Sequence, residues 1–239
     1  MPDRLVPDGH SRAIAIAADV SSLGDLDVLV SAAADCPDVC ALKVGFSLVL
    51  RHGLPAVVSA VKRNSTLPVI YDHQKAGTDI PQMGGPFADA CREAGADAVI
   101  IFPQSGPRTL EAFVSAAFKC ELVPIVGIMM THPGYLAEDG GFLIDNAPIS
   151  ICEKALALGV TEFVLPGTKP DVVRQFAAGA LRSIRATIWM PGIGSQGGAL
   201  RPALDSAAPH IAVGIIGSAI YDSPDPRAAL HAFAREITA

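Results

Sequence analysis

The chain has no basic run, few aromatic residues and no long apolar stretch, and each shortage removes a class of function. Lys and Arg number 18 against 24 Asp and Glu, a net charge of −6, and aromatics make up 5%. With no cationic patch interleaved with aromatics, nucleic acid is not expected as a partner. Small anionic substrates stay open, because backbone amides and helix N-termini bind phosphate without net positive charge. No run of eighteen apolar residues occurs, and no apolar segment follows a basic start. No membrane partner and no secretory leader are therefore expected, and the protein is read as soluble and cytoplasmic. The five cysteines (Cys36, Cys40, Cys91, Cys120 and Cys152) are scattered, without Cys or His partners at zinc-site spacing. They read as reduced, buried, small hydrophobes, and no metal site is expected. No G-x-S-x-G elbow or P-loop is present.

What is present is apolar and periodic. Half of the 239 residues are hydrophobic, enough for one large, well-buried core. Ala and Val dominate, the usage of strands packed on both faces of a parallel sheet. Eight β-rich runs recur: Ala13–Asp19, Val39–Phe46, Leu67–Tyr71, Ala98–Phe102, Leu122–Met130, Glu162–Leu165, Ala186–Met190 and Ile211–Ile216. Between them lie helical patterns such as Leu26–Ala34, Pro86–Ala94, Leu110–Phe118, Ile149–Leu158, Asp171–Ala180 and Arg227–Ile237. Gly95, Pro124 and Gly159 read as breaks ahead of strands. Eight βα units over residues 1–239 predict an α/β fold, a single (β/α)8 TIM-barrel domain. An open doubly wound sheet is the alternative.

A barrel places its chemistry at the C-terminal strand ends. The third run ends in Asp72-His73-Gln74-Lys75-Ala76-Gly77-Thr78-Asp79-Ile80-Pro81, two carboxylates and an ammonium in eight residues. Clustered ions of alternating sign are costly to desolvate and mark places where charge is used. Lys43 interrupts the otherwise apolar second run, which calls for a buried carboxylate partner or a route to water. Asp19, Thr131, His132, Gln196 and Ser218 end or follow other strands.

Gly192-Ile193-Gly194-Ser195-Gln196-Gly197 matches G-x-G-x-x-G, but after the seventh strand and with no acidic residue ending the next one. It reads instead as a flexible loop over the site, with amides for a phosphate and Gln196 able to close on substrate. Gly217 and Ser218 follow the eighth strand, where barrels commonly hold phosphate. His73 is an acid–base or helper candidate. His132 orients a loop, and His10, His52, His210 and His231 read as surface or loop residues.

In order and spacing these pieces resemble orotidine 5′-monophosphate decarboxylases of the short archaeal and bacterial type, from Asp19 to Tyr221. The matching pieces are Asp19, Leu42-Lys43-Val44-Gly45-Phe46, the Asp72…Lys75…Asp79-Ile80-Pro81 signature and Met130-Thr131-His132-Pro133-Gly134. To these add Val164-Leu165-Pro166-Gly167-Thr168-Lys169-Pro170, Pro191-Gly192-Ile193-Gly194-Ser195-Gln196-Gly197-Gly198 and Ile216-Gly217-Ser218-Ala219-Ile220-Tyr221. Two departures stand out. The family spacing Asp-x-Lys-x-x-Asp carries one extra residue on each side of Lys75 here. The family's phosphate-gripping arginine after the strand-eight glycine is Ser218, with Arg201 in the lid loop as a substitute.

The resemblance implies cofactor-free decarboxylation of orotidine 5′-monophosphate to uridine 5′-monophosphate. It implies that Asp72 faces the substrate carboxylate and that Lys75 stabilises and protonates the C6 carbanion. Lys43 would pair with Asp72 and hold a ribose hydroxyl, and Asp19 would hold another. Asp79 would be donated across a homodimer interface. Thr131, Pro191, Gln196, Gly197, Gly217 and Ser218 would complete the contacts to the nucleotide. Two rivals share the scaffold: a Mg²⁺-dependent sugar-phosphate aldolase or decarboxylase, and a nucleotide-binding relative without turnover.

Overall fold

Every second residue of the predicted strands is apolar on a face that meets a ring of neighbours, and in a computed structural model the strands close on themselves. Residues 5–73 and 77–238 are described. The strands are β1 (Arg12–Ala18), β2 (Val39–Gly45), β3 (Val69–Asp72), β4 (Ala98–Ile101), β5 (Val123–Gly127), β6 (Glu162–Val164), β7 (Thr187–Ile193) and β8 (Ile211–Ile216). All pair in parallel, in chain order, and β8 pairs back on β1. Closure of this kind excludes the open doubly wound sheet and is that of a (β/α)8 barrel.

The helices are α1 (Leu23–Ala33), α2 (Phe46–His52), α3 (Leu54–Asn64), α4 (Gly84–Glu93), α5 (Pro107–Lys119), α6 (Ala147–Ala157), α7 (Pro170–Ala178), α8 (Leu200–Ser206), α9 (Ser218–Tyr221) and α10 (Pro226–Thr238). Their starts follow capping chemistry. The Ser22 hydroxyl accepts the Asp25 N–H at 3.1 Å ahead of α1. Pro107, Pro170 and Pro226 open α5, α7 and α10, where a missing N–H costs nothing. Among the described residues, no helix is long and apolar enough to cross a membrane.

Alternation along the strands divides the apolar residues into two layers. Ala13, Ala15, Ala17, Ile70, Ile100, Ile125, Val164, Trp189, Val213 and Ile215 fill the barrel interior. Ile14, Ile16, Leu42, Val44, Tyr71, Val99, Val126 and Phe163 face the helices. The three small alanines of β1 and the large Trp189 share this interior layer, the mix of sizes that fills a small barrel. Deep in the interior, the buried Glu162 accepts hydrogen bonds from the Thr187 hydroxyl (3.0 Å) and the Trp189 indole N–H (2.7 Å).

Several sequence expectations need correction. Pro124 lies inside β5, paired with Val99, rather than ahead of it. The segment expected to be loop from Gly192 begins as strand, because β7 runs through Pro191 and Gly192 to Ile193 after a register shift past Met190. His210 is a core residue: it is buried, its Nδ1 accepts the Ala186 N–H at 3.3 Å, and its Nε2 meets the Ala177 carbonyl at 3.1 Å. His52 likewise has a partner, the Ser21 carbonyl, at 3.1 Å. Four of the five cysteines are buried, as expected. Cys120 is half-buried and donates to the Asp89 carboxylate at 3.2 Å.

Candidate active site

Strand register brings the charges together. Ala17, Lys43 and Ile70 are partners across β1, β2 and β3, so Lys43 stands on the interior face among apolar neighbours. One level higher, Gly45 is opposite Asp72, and continuing the alternation past Ala17 brings Asp19 to the same level. The Lys43 ammonium rises between the two acids, 3.1 Å from Asp72 Oδ2 and 3.3 Å from Asp19 Oδ1.

The glycine at 45 is what lets the carboxylates close in. A Cβ there would lie 2.5 Å from Asp19 Oδ1, inside the contact distance of any carbon and oxygen. Side-chain exposure is 9% for Lys43 and 5% for Asp72, but 44% for Asp19. Burial by itself lowers the affinity of the Lys43 amine for its proton. The carboxylates of Asp72 and Asp19 outweigh that, and the net shift is upward. Lys43 is therefore held charged inside the barrel by carboxylate partners, one of the two outcomes its sequence position left open.

These three groups form one wall of a cavity of about 280 Å³ at the C-terminal strand ends, near the lower limit for small-molecule sites. Of the residues expected at the site, Asp19, Lys43, Asp72, Thr131, Pro191, Gln196, Gly217 and Ser218 line it. Ser218 donates to the Ser195 hydroxyl at 2.6 Å, joining the end of β8 to the loop after β7. That loop is folded tightly on itself, Gly194 and Gly198 being linked by a 2.8 Å backbone bond.

Other expected residues lie elsewhere. Gly197 sits on the same loop but does not line the cavity. Arg201 is exposed in the first turn of α8, not in a loop, and is likewise absent from the lining. Asp79 is exposed and outside the cavity, its carboxylate accepting the Ile80 N–H at 2.7 Å. Lys75 falls outside the described residues. His73 follows Asp72 and therefore faces away from the barrel, with its ring on Tyr71. That orientation does not fit the acid–base role considered for it. His132 is exposed and edge-on to Tyr135. Among the described residues, no three His, Cys, Asp or Glu come together as a metal-ligand set.

The sequence reading missed the apolar side of the cavity, built from Ile100, Phe102, Met129, Val164 and Ile215. Phe102 is two residues beyond Ile100 and shares its face, a signal that alternation carried. Tyr221, on α9, was also missed as a site residue. Its hydroxyl titrates high, first through burial and then through the nearby Asp19 and Asp222 carboxylates.

The chain has relatives among known proteins. A model of the family described as Orotidine 5′-phosphate decarboxylase / HUMPS matches residues 12–233. The orotidine 5′-phosphate decarboxylase of Methanosarcina mazei is 32% identical over 204 residues, 84% of each chain. That of Pyrococcus furiosus is 33% identical over 209 residues, covering 87% of this chain and 90% of the relative. The crystal structure of orotidine 5′-monophosphate decarboxylase from Methanocaldococcus jannaschii, complexed with inhibitor BMP, superimposes with a TM-score of 0.83 at 26% identity, over 96% of this chain and 100% of the other. The chain belongs to the orotidine 5′-phosphate decarboxylase / HUMPS family.

Proposed function

We propose that the protein decarboxylates orotidine 5′-monophosphate to uridine 5′-monophosphate, without a cofactor, as a cytoplasmic homodimer in pyrimidine synthesis. The observation that carries this reading is the Asp19–Lys43–Asp72 cluster at the mouth of the cavity. It supplies fixed charges of both signs in a site half-walled by apolar side chains.

The bond between C6 of the pyrimidine and its carboxylate breaks, carbon dioxide departs, and the electron pair stays on C6. Lys75 stabilises that pair with its ammonium and then gives it a proton. Asp72 faces the departing carboxylate, and Lys43 holds Asp72 in place. The attraction between an ammonium and a carbanion exists only once charge develops, so it lowers the barrier without tightening substrate binding.

Lys43 and Asp19 take the ribose hydroxyls. Thr131 reads the polar edge of the base, and Pro191, Gln196 and Gly197 close over it. Gly217 and Ser218 take the phosphate, and the hydrogen bond from Ser218 to Ser195 supports this by joining the two loops on that side. Asp79 acts in the partner's site. Its exposure, with Ile80 and Met83 exposed beside it, supports a subunit contact there.

Replacement of Lys75 by Ala tests the assignment. The unmodified protein is expected to consume orotidine 5′-monophosphate. Lys75→Ala is expected to bind uridine 5′-monophosphate but lose turnover by about a thousandfold or more, the scale of a lost charge-stabilising donor. Near-normal turnover in that variant would remove Lys75 from the mechanism.

A further inference from the structure

The two residues that flank Asp72 are joined to each other behind the barrel wall. On β3 the side chains of Ile70 and Asp72 point inward, so those of Tyr71 and His73 point outward. The Tyr71 hydroxyl and His73 Nδ1 are 2.5 Å apart, and the two rings meet edge-on with centroids 5.4 Å apart. Both rings rest on Phe87 of α4, at 6.3 Å and 6.2 Å, and Phe87 rests on Phe113 of α5 at 5.6 Å.

A hydrogen bond between the side chains on either side of a residue restricts the backbone torsions of the residue between. Here that residue is Asp72, whose carboxylate lies 3.1 Å from the Lys43 ammonium. Strand β3 ends at Asp72, and His73 follows it with its ring held by Tyr71 and Phe87. At Gly77 the backbone packs closely on β4, and a Cβ there would come within 2.7 Å of Ile101 Cγ2.

We infer that Tyr71 and His73 form a positioning clamp that fixes Asp72 at the end of β3. The inference rests on the decarboxylase reading for its kinetic consequence and on geometry alone for its structural one. Tyr71 and His73 touch no reacting atom. Their effect passes through the backbone of Asp72.

Tyr71→Phe removes only the hydroxyl and leaves the aromatic packing in place. It is expected to lower kcat about tenfold, since small misplacement of a catalytic group is costly, with KM changed less than about twofold and the melting temperature preserved. His73→Leu is expected to do the same. His73→Asn, which restores a hydrogen-bonding atom at the Nδ1 position, is expected to recover most of the rate. The double variant Tyr71→Phe/His73→Leu is expected to lose no more than either single variant, because the partners act as one unit.

Amide hydrogen exchange at Asp72 and His73 provides the readout that needs no activity, with exchange about tenfold faster in Tyr71→Phe. A wild-type kcat and unchanged exchange in Tyr71→Phe would overturn the clamp. So would a lowered melting temperature with unaltered turnover per folded molecule, which assigns the pair to stability alone. If the unmodified protein fails to decarboxylate the substrate, the function reading fails, and the exchange measurement still decides the clamp.

Discussion

The Lys43 ammonium and the Asp72 carboxylate lie 3.1 Å apart with less than a tenth of either side chain exposed. Such a pair is costly to assemble and still more costly to break, because the remaining charge stays buried. Lys43→Ala is expected to destabilise the protein by about 3 kcal/mol and to reduce turnover by about a hundredfold or more. Denaturant unfolding and steady-state kinetics of the same preparation check both. An unchanged unfolding midpoint would show that the ammonium does not balance the acids as described.

Gly45 makes room for Asp19. Gly45→Ala puts a methyl group 2.5 Å from the present position of Asp19 Oδ1, and the carboxylate has to move. Its backbone φ of −105° suits alanine, so local strain does not complicate the result. The expected outcome is a rise in KM of about tenfold, equivalent to about 1.4 kcal/mol of lost ribose binding, with the melting temperature preserved. A KM equal to that of the unmodified protein would remove Asp19 from ribose recognition.

Alkaline pH should weaken the fold. Burial pushes the Tyr71 hydroxyl up to about 12, aided by nearby Cys91 and Asp72. The Lys43 ammonium also holds its proton more tightly than usual, because Asp72 and Asp19 outweigh the cost of its burial. Both groups therefore bind protons more tightly folded than unfolded. The stability they contribute is complete below the unfolded-chain values of about 10 and is lost as pH climbs through the folded ones. Unfolding free energies measured from pH 9 upward should fall most steeply at about pH 10–12, and Tyr71→Phe should flatten part of that fall. A profile identical in the variant would contradict the assignment of Tyr71.

The positions of the charged residues were legible in the residues themselves, whereas the Lys43–Asp72 pair came only with the family resemblance and the Lys43–Asp19 contact with neither. Strand period two was enough to put Asp72 inside the barrel, and Lys43 in an apolar run called for a buried carboxylate or a route to water. Which acid it met depended on β1–β2 and β2–β3 register, and a long-range register leaves no local mark. The same dependence hid the apolar side of the cavity as a unit, since Phe102 follows β4, Met129 follows β5 and Ile215 lies in β8.

Short helices were missed for a different reason. α2 and α9 have seven and four residues, too few to show a 3.6-residue period. His210 read as a surface residue because its partners are backbone groups of distant segments, Ala177 and Ala186. The outward face of His73 was available from alternation alone, but the charge around it drew the reading toward acid–base chemistry.

The most direct test of the account is the ultraviolet absorbance of orotidine 5′-monophosphate mixed with purified protein, with and without EDTA. The account predicts rapid loss of the orotate chromophore, unaffected by EDTA, with uridine 5′-monophosphate as product. Persistence of the chromophore, or a loss that stops when metal is removed, would contradict it.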